Sequence, residues 1–378
     1  MSRFLTRRLG ALWALVWCFG GSPDIGFARE LKWTHFGLRP LAMGNAYVAV
    51  ADDFNALFYN PAGLARLKGW SGEFFNPQLA VSTNTTSAIN KLQTLVQGSS
   101  GGVDAVLDLL EENTGKNQYL AIGLTPHLVA PGFGFGFGMD LPVSIAIHRD
   151  ISVDVDAGPR VLLPVGFASN LFEDRLSLGA SLKVAVAGGV SRQFSINDIE
   201  AFTSKSGSTS GPQLSDYIEG GAGLGADIGL LFTPIKTMAP TLGISVTDVG
   251  GTAYTTKMDV GGSALGTPST RLPSVNTGIS LTPLEAKGMY LRTSVDAHAI
   301  NQPEHFSKKF NLGIEWGYGS LIKVQGGLHQ GELSGGFELD VFLLAIRFVT
   351  YSEQLGVVAG ENDNLRDRRY AMQIKLLI

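Results

Sequence analysis

Cysteine is almost missing from this sequence. The single cysteine among the 378 residues is Cys18, inside the apolar part of the N-terminal segment. Three arginines precede a short apolar run over 9–19, and small residues at 26 and 28 suit a signal peptidase. We therefore expect residues 1–28 to be removed as a secretory signal peptide. The mature chain would then have no disulfide and no thiol chemistry.

Long hydrophobic runs and charges are also scarce. After residue 28 no apolar stretch approaches the roughly 20 residues that a membrane helix needs. Charged residues make up 16% of the chain, against roughly a quarter in an ordinary soluble domain, whereas glycine is abundant at 48 residues. An exported chain of this kind can span a membrane as a closed barrel, because hydrocarbon offers no partner to an unpaired backbone group.

Signatures of catalysis and of metal binding are lacking as well. The six histidines show no paired ligand spacing, and no serine stands in a G-x-S-x-G elbow. The stretch from Gly221 to Ala226 fits a dinucleotide fingerprint, but the alternation continues through it as a strand and no helix follows. A formal net charge of −4 argues against a nucleic-acid partner. The sequence therefore predicts no enzyme, no cofactor and no metal.

A period of two is the strongest positive signal. Over 176–186 every even position is apolar and the odd positions are mostly small or polar, and the alternation recurs over 306–316 and 370–378. Segments of about ten residues with this pattern are typical of transmembrane barrel strands. The sequence predicts an all-β fold, a membrane-spanning antiparallel β-barrel of about 14 strands over residues 70–378. The predicted strands lie at 70–82, 118–139, 142–155, 159–170, 174–187, 218–233, 238–248, 272–283, 286–297, 306–317, 320–330, 333–340, 342–351 and 367–378.

The connections between these strands differ in length. With both termini in the periplasm of a bacterial outer membrane, the long connections face outside and the tight ones face the periplasm, which is the usual asymmetry. The long connections are 83–117, 188–217, 249–271 and 352–366. This parity requires 118–139 to be one long strand, bent near Pro131 and Gly132. Apolar residues at helical spacing in 83–117 predict one or two short helices over the barrel mouth.

Residues 29–69 do not alternate and form a segment of their own. Small residues recur in Gly44-Asn45-Ala46, and the stretch continues to Asp52-Asp53, a natural helix N-cap. Asn60-Pro61 must interrupt the following helix, because the residue before proline is pushed out of α geometry. We therefore expect short helices that pack closely against a wall.

This block resembles a family of outer-membrane proteins that includes the FadL long-chain fatty-acid transporters and the PorV/PorQ-like proteins. The shared pattern is G-x-R-x-x-x-M-G-x-A, then A-D-D, then N-P-A-G-L, over about forty residues. The resemblance implies a fourteen-stranded barrel with residues 29–69 folded inside as a hatch. In FadL relatives hydrophobic ligands bind within the barrel and leave sideways beside a kinked strand. In PorV relatives the barrel serves protein secretion or surface display.

One group of candidate site residues lies in the predicted hatch. Either these residues cap hatch helices and bond to lumen side chains, or they take part in ligand passage. They are Asn45, Asp52, Asp53, Asn60 and Pro61. Four lumen-facing residues of the barrel are expected to pair with one another or with the hatch, namely Arg292, Asp296, Lys309 and Glu315.

A second group lies in the predicted strand 118–139. One interpretation is that its phenylalanines face lipid and its glycines face a hatch that presses close to the wall. The other is a bent strand with a lateral opening, because proline removes a ladder hydrogen bond. The residues concerned are Pro126, Pro131, Gly132, Gly134 and Gly136.

Two functions stay open at this point. The first is a FadL-like channel for passive uptake of small hydrophobic molecules such as fatty acids. The alternative is a PorV-like scaffold with a secreted or surface protein as its partner. In either case outer-membrane lipids surround the barrel, and the hatch is central to the function.

Overall fold

The computed structural model describes residues 37–85, 113–148, 152–195, 197–198, 214–260, 263–341, 343–355 and 366–376. The predicted signal peptide and most of the predicted helical loop 83–117 lie outside the described residues. Within the described residues, no helix is long and apolar enough to cross a membrane.

The helices that lie wholly within the described residues are short. They are α1 (Leu38–Ala42), α2 (Ala56–Tyr59), a 3-10 helix (Pro61–Arg66), a second 3-10 helix (Leu214–Tyr217) and α3 (Phe306–Lys309). The strands are β1 (Ser71–Glu73), β2 (Gln78–Ser82), β3 (Asn117–Leu124), β4 (His127–Ala130), β5 (Phe133–Gly136), β6 (Gly138–Ile147), β7 (Val153–Ala157), β8 (Arg160–Leu171), β9 (Leu176–Phe194), β10 (Glu219–Phe232), β11 (Thr241–Thr247), β12 (Thr256–Lys257), β13 (Asp259–Val260), β14 (Ser263–Ala264), β15 (Ser274–Ala286), β16 (Met289–Ala297), β17 (Phe310–Tyr318), β18 (Ile322–His329), β19 (Glu332–Val341), β20 (Leu344–Gln354) and β21 (Arg366–Leu376).

These strands form a closed antiparallel barrel of 14 strands with a few N-terminal helices. Four barrel strands consist of two consecutive pieces each: β1 with β2, β3 with β4, β5 with β6, and β7 with β8. Barrel strands 5, 6 and 7 are β9, β10 and β11, and barrel strands 8 to 14 are β15 to β21. Pairing of Gln78 with Gln373 joins the first barrel strand to the last and closes the ring.

Alternation decides which face of each barrel strand points inward. In β9 the side chains of Leu178 and Leu182 face outward, whereas Ser181 and Lys183 are buried in the lumen. The last barrel strand shows the same pattern. An apolar outer face suits lipid, while polar side chains find hydrogen-bond partners inside. The predicted period-two barrel is confirmed.

The prediction that 118–139 forms one bent strand is wrong. The chain reverses at Pro131-Gly132, and Ala130 pairs with Phe133 across a two-residue turn. Proline followed by a glycine with φ of +82° is the signature of a type II turn. The strand number survives because β7 and β8 keep one register against β9 across Gly158 and the proline after it. The predicted strands 118–139, 142–155 and 159–170 are therefore replaced by barrel strands over 117–130, 133–147 and 153–171.

The longest connections all lie at one end of the barrel, although the two-residue turn 330–331 lies there too. The tight turns 131–132, 172–175, 287–288 and 319–321 share one end with the connection 233–240, and we call it the short-turn end. The connections 83–116, 195–218, 248–273 and 355–365 share the opposite end, the long-loop end. The four predicted long connections thus all lie at one end.

Candidate functional site

The N-terminal helices lie inside the barrel, as predicted. Residues 37–66, which we call the hatch, form a buried apolar cluster that includes Met43, Tyr47, Phe54 and Leu57. The hatch contacts the wall from barrel strand 2, through Val129, round to barrel strand 13. It therefore fills the cross-section of the lumen.

Glycines on the inner wall make room for the hatch. A methyl group at any of eight inward positions would come within 1.9–2.9 Å of a hatch atom. These positions, the glycine collar, are Gly134, Gly166, Gly179, Gly229, Gly243, Gly313, Gly327 and Gly336. Six of them face each other in cross-strand pairs, such as Gly313 opposite Gly327. Without side chains the wall lets another backbone approach closely.

An arginine fastens the hatch to the wall. Nε and Nη2 of Arg39 donate to the two carboxylate oxygens of Glu315 at 2.7 and 2.6 Å. Nη1 of Arg39 also donates to Asp52 at 2.8 Å, to Asp53 at 3.0 Å and to the Tyr47 hydroxyl at 2.7 Å. A bidentate, buried arginine–carboxylate pair has both geometric specificity and strength. We call these five residues the hatch latch.

The two aspartates of the latch remain charged. Asp52 accepts a second hydrogen bond, from Nη1 of Arg292 at 2.8 Å. Burial alone would raise the pKa of Asp52, but Arg292 and Arg39 outweigh it and hold that pKa well below its usual value. For Asp53, too, burial raises the pKa and Arg39 more than offsets it, so the pKa is lowered. Both carboxylates are therefore ionised at neutral pH, and each forms an ion pair with Arg39.

The other predicted hatch residues hold its shape. Oδ1 of Asn45 accepts a hydrogen bond from the Tyr59 hydroxyl at 2.6 Å. The side chain of Asn60 donates to the carbonyl oxygens of Val48 and Leu230 at 2.9 and 3.2 Å, so it also bonds to the wall. As predicted, α2 ends there, and Pro61 opens the 3-10 helix. Their role in ligand passage stays a prediction.

Three of the four lumen residues expected to pair with one another or with the hatch do bind the hatch. Arg292 and Glu315 belong to the contacts above, and Asp296 accepts a 2.6 Å hydrogen bond from the Val48 backbone N–H. Lys309 instead donates to the backbone oxygen of Gln302 at 2.6 Å.

The residues of the predicted lateral opening lie close together in barrel strands 2 and 3. The Pro131-Gly132 turn rests on the hatch, because the Gly132 N–H donates to the Leu64 oxygen at 2.9 Å. Gly134 and Gly136 face Leu57 and Leu64 of the hatch, while Phe135 faces outward. The first interpretation, in which the glycines face the hatch and the phenylalanine faces outward, therefore describes this stretch.

Pro126 marks a real interruption in the wall. The ladder between barrel strands 2 and 3 stops at Leu124 and resumes at His127, with one hydrogen bond from the Phe137 N–H to the Pro126 oxygen in between. The next ladder, to barrel strand 4, also breaks near Phe137. A lateral opening at this seam stays a prediction.

A cavity of about 730 Å³ lies between the hatch and the long-loop end. Its floor is the hatch, through Val48, Phe58 and Tyr59, and its walls include Leu162 and residues 268–272. The cavity wall mixes apolar surface with buried ionic side chains. Alternation in the sequence predicts that these side chains face the lumen, but it does not predict which of them form ion pairs.

The basic side chains Lys183 and Arg271 of this cavity are bound to carboxylates. Nζ of Lys183 lies 2.6 Å from an oxygen of Asp227 and 3.0 Å from one of Asp248. Asp248 also accepts from Arg271 at 3.2 Å and from the Thr252 hydroxyl at 2.7 Å. Sequence reasoning missed this cluster, because its members come from three separate segments of the chain.

The same cluster fixes loop 249–271 to the wall. A methyl group at Gly223 or Gly225 of β10 would lie 2.2 or 2.3 Å from loop atoms of Ala253 or Thr252. Further along, β12 of the loop pairs with β10. The dinucleotide-like run is therefore part of a strand, as predicted, and its glycines form the seat of a loop.

Comparison with known proteins finds the same architecture. No family model and no curated protein matches the sequence. Solved structures do match, at low sequence identity. The CymD monoaromatic hydrocarbon channel is 12% identical, with a TM-score of 0.55, over 92% of this chain and 99% of that one. The Ralstonia pickettii toluene transporter TbuX is 13% identical, with a TM-score of 0.52, over 92% and 100%.

A FadL homologue from Pseudomonas aeruginosa is 13% identical, with a TM-score of 0.51, over 92% of this chain and 99% of that one. The chain has the FadL-like barrel fold. The solved structures that it resembles are transport channels.

Proposed function

We propose that this FadL-like barrel is a passive outer-membrane channel for small hydrophobic molecules. The observation that carries the proposal is a cavity of about 730 Å³ above a hatch that fills the lumen. Such a barrel can hold a molecule of ligand size, since ligand pockets commonly measure about 300–1,000 Å³. The hatch rules against an open aqueous pore.

The ligand class follows from the pairing of charges. Lys183 and Arg271 point at the cavity, and both are already bound to carboxylates. A fatty-acid carboxylate would have to displace one of these partners, whereas an uncharged apolar molecule displaces none. We therefore favour uncharged hydrophobic ligands over fatty-acid anions, and the hydrocarbon channels among the similar structures support this.

The route begins at the long-loop end, which the proposal places outside the cell with both termini in the periplasm. A ligand enters the cavity and meets the hatch, which the collar and latch hold to the wall. The ladder interruption at Pro126 offers an exit sideways between barrel strands 2 and 3. Outer-membrane lipids would then receive the ligand.

The test is an uptake assay in cells that produce the barrel. Ala187 faces the cavity from β9, and Ala180 on the same strand faces outward. We expect labelled toluene to enter faster than in cells without the barrel, and Ala187→Trp to abolish most of that gain by filling the cavity. Ala180→Trp is the matched control and keeps the wild-type rate.

The scaffold alternative gives a different result. Under it, toluene uptake would not depend on the barrel, and a stoichiometric protein partner would remain bound in native mass spectra of protein extracted from its own membrane. That pair of results would overturn the channel proposal.

A further inference from the structure

The lumen contains a second, smaller cavity. Its volume is about 50 Å³, and it lies beside α1, between Leu38 and Leu41 of the hatch and the inner faces of barrel strands 1 to 3, 13 and 14. Gly123 and Asp140, which line it, stand next to the end of the interrupted ladder. This chamber therefore lies next to the gap in the ladder between barrel strands 2 and 3.

Two side chains lie where the two cavities come closest. Among the described residues, Asp156 and Arg160 are the ones that line both. They form an ion pair with each other, on the inner face of barrel strand 4. A molecule that moves from the large cavity to the small chamber along this wall must pass this pair.

The backbone is built to bring the pair together. In a straight strand, residues four apart are separated by about 13 Å. Here Gly158 lies between Asp156 and Arg160 with a φ of +148°, a conformation that requires glycine. A methyl group at Gly158 would lie 2.0 Å from the Gly188 oxygen, so the kink is packed tightly against β9. The proline that follows Gly158 ends β7 and lets β8 begin anew.

The pair is weaker than the hatch latch. The side chains of Arg160 and Asp156 are 28% and 36% exposed, whereas those of Arg39 and Glu315 are 5% and 0% exposed. Partly exposed ion pairs contribute little to stability, because water competes for both charges. This pair can therefore open while the hatch stays in place.

We propose that the Asp156–Arg160 ion pair is an internal gate between the large cavity and the chamber beside α1. The inference rests on the proposed channel function and identifies the residues that control passage in it. When the pair opens, the guanidinium swings away from Asp156 and the two cavities join. The opened pair gives the ligand a path along barrel strand 4 to the seam at barrel strands 2 and 3, and the chamber of about 50 Å³ must widen as the ligand passes.

Cysteine labelling tests the gate without any transport assay. In a Cys18→Ser background the chain has no other cysteine. Ala121→Cys places a thiol in the small chamber, and Ser274→Cys, on barrel strand 8, places one in the large cavity away from Arg160. The probe is N-ethylmaleimide, a small uncharged reagent, added to the purified barrel in nanodiscs. If the gate is open about 10% of the time or less, Arg160→Ala raises the labelling rate of Ala121→Cys at least about tenfold.

Controls separate a gate from general loosening. The labelling rate at Ser274→Cys should stay unchanged, and Arg160→Lys should restore slow labelling of the small chamber. Asp156→Asn removes the same ion pair with almost no change of shape, and should match Arg160→Ala if that variant folds poorly. Unchanged labelling of Ala121→Cys in both variants, or equal acceleration at both cysteines, would overturn the gate. Loss of toluene uptake with an intact labelling response would overturn the channel function instead.

Discussion

The hatch and loop 249–271 enter the lumen from opposite ends, and both are seated on glycines. The hatch meets eight glycines distributed over barrel strands 3 to 7 and 10 to 12, whereas the loop meets a row on β10 alone. The hatch is thus enclosed on all sides, and the loop lies against one wall. A segment held from one side can peel away without disturbing the rest of the barrel.

The arginines that anchor the two segments also differ in exposure. Arg39 of the hatch is 5% exposed and binds a fully buried Glu315, while Arg271 at the base of the loop is 24% exposed. Removing one member of a buried ion pair leaves an uncompensated charge, which is costly. The hatch is therefore held by buried contacts from all sides, whereas the loop is held along one wall and its anchor Arg271 is more accessible to water.

The largest effect is expected for Arg39→Ala. This change leaves Glu315 buried without its bidentate partner and removes a neighbour from Asp52 and Asp53. We expect the free energy of unfolding to fall by about 3–5 kcal/mol. Thermal unfolding and trypsin cleavage at Lys68, just beyond the hatch, measure it. The control is Arg366→Ala, whose exposed pair with Glu332 is worth about 1 kcal/mol or less. Equal effects of both changes would show that the latch does not hold the hatch.

The next largest effect on stability is expected for a substitution in the glycine collar, and the adjacent glycine outside the collar is the control. A methyl group at Gly327 would lie 2.5 Å from the Gly44 nitrogen, whereas one at Gly326 would have its nearest neighbour, a methyl of Ile314, at 3.5 Å. Gly327→Ala should therefore lower the free energy of unfolding by about 1–3 kcal/mol, as overpacking does. Gly326→Ala should change it by about 0.5 kcal/mol or less. Similar melting curves for the two variants would contradict a tight fit between hatch and wall.

The smallest effect is expected for the loop. Asp248→Asn weakens the contacts to Lys183, Thr252 and Arg271, and asparagine tolerates the positive φ of this position. A loss of about 1 kcal/mol corresponds to a roughly fivefold larger open population. Trypsin should then cleave at exposed Lys257 several times faster, while cleavage at Lys68 stays unchanged. Asp259→Asn, in the same loop, is the control. If it accelerates cleavage at Lys257 as much as Asp248→Asn does, Asp248 does not anchor the loop.

Alternation in the sequence was sufficient to predict the barrel and the inward direction of Arg292, Asp296 and Glu315. It could not predict that Glu315 binds Arg39, because these residues are 276 positions apart and meet only through the docking of the hatch. The cavity cluster of Lys183, Asp227 and Asp248 escaped prediction for the same reason. Period two assigns a face to each residue, and the register between strands decides its partner.

The error at 118–139 has a local cause. Pro131-Gly132 suits either a bend or a type II turn, and the choice between them depended on where the neighbouring strands end. The structure carries β6 across Pro142 and joins β7 to β8 across Gly158. A proline inside a strand makes the length of that strand hard to predict, because it interrupts the alternating pattern without ending the strand.

The collar also has a consequence for assembly. The wall is complementary in shape to a segment that precedes every barrel strand in the chain, and the ring is shut by the pairing of Gln78 with Gln373. The hatch can therefore occupy the lumen while the ring is still open, and the glycines then let the wall close around it without a clash.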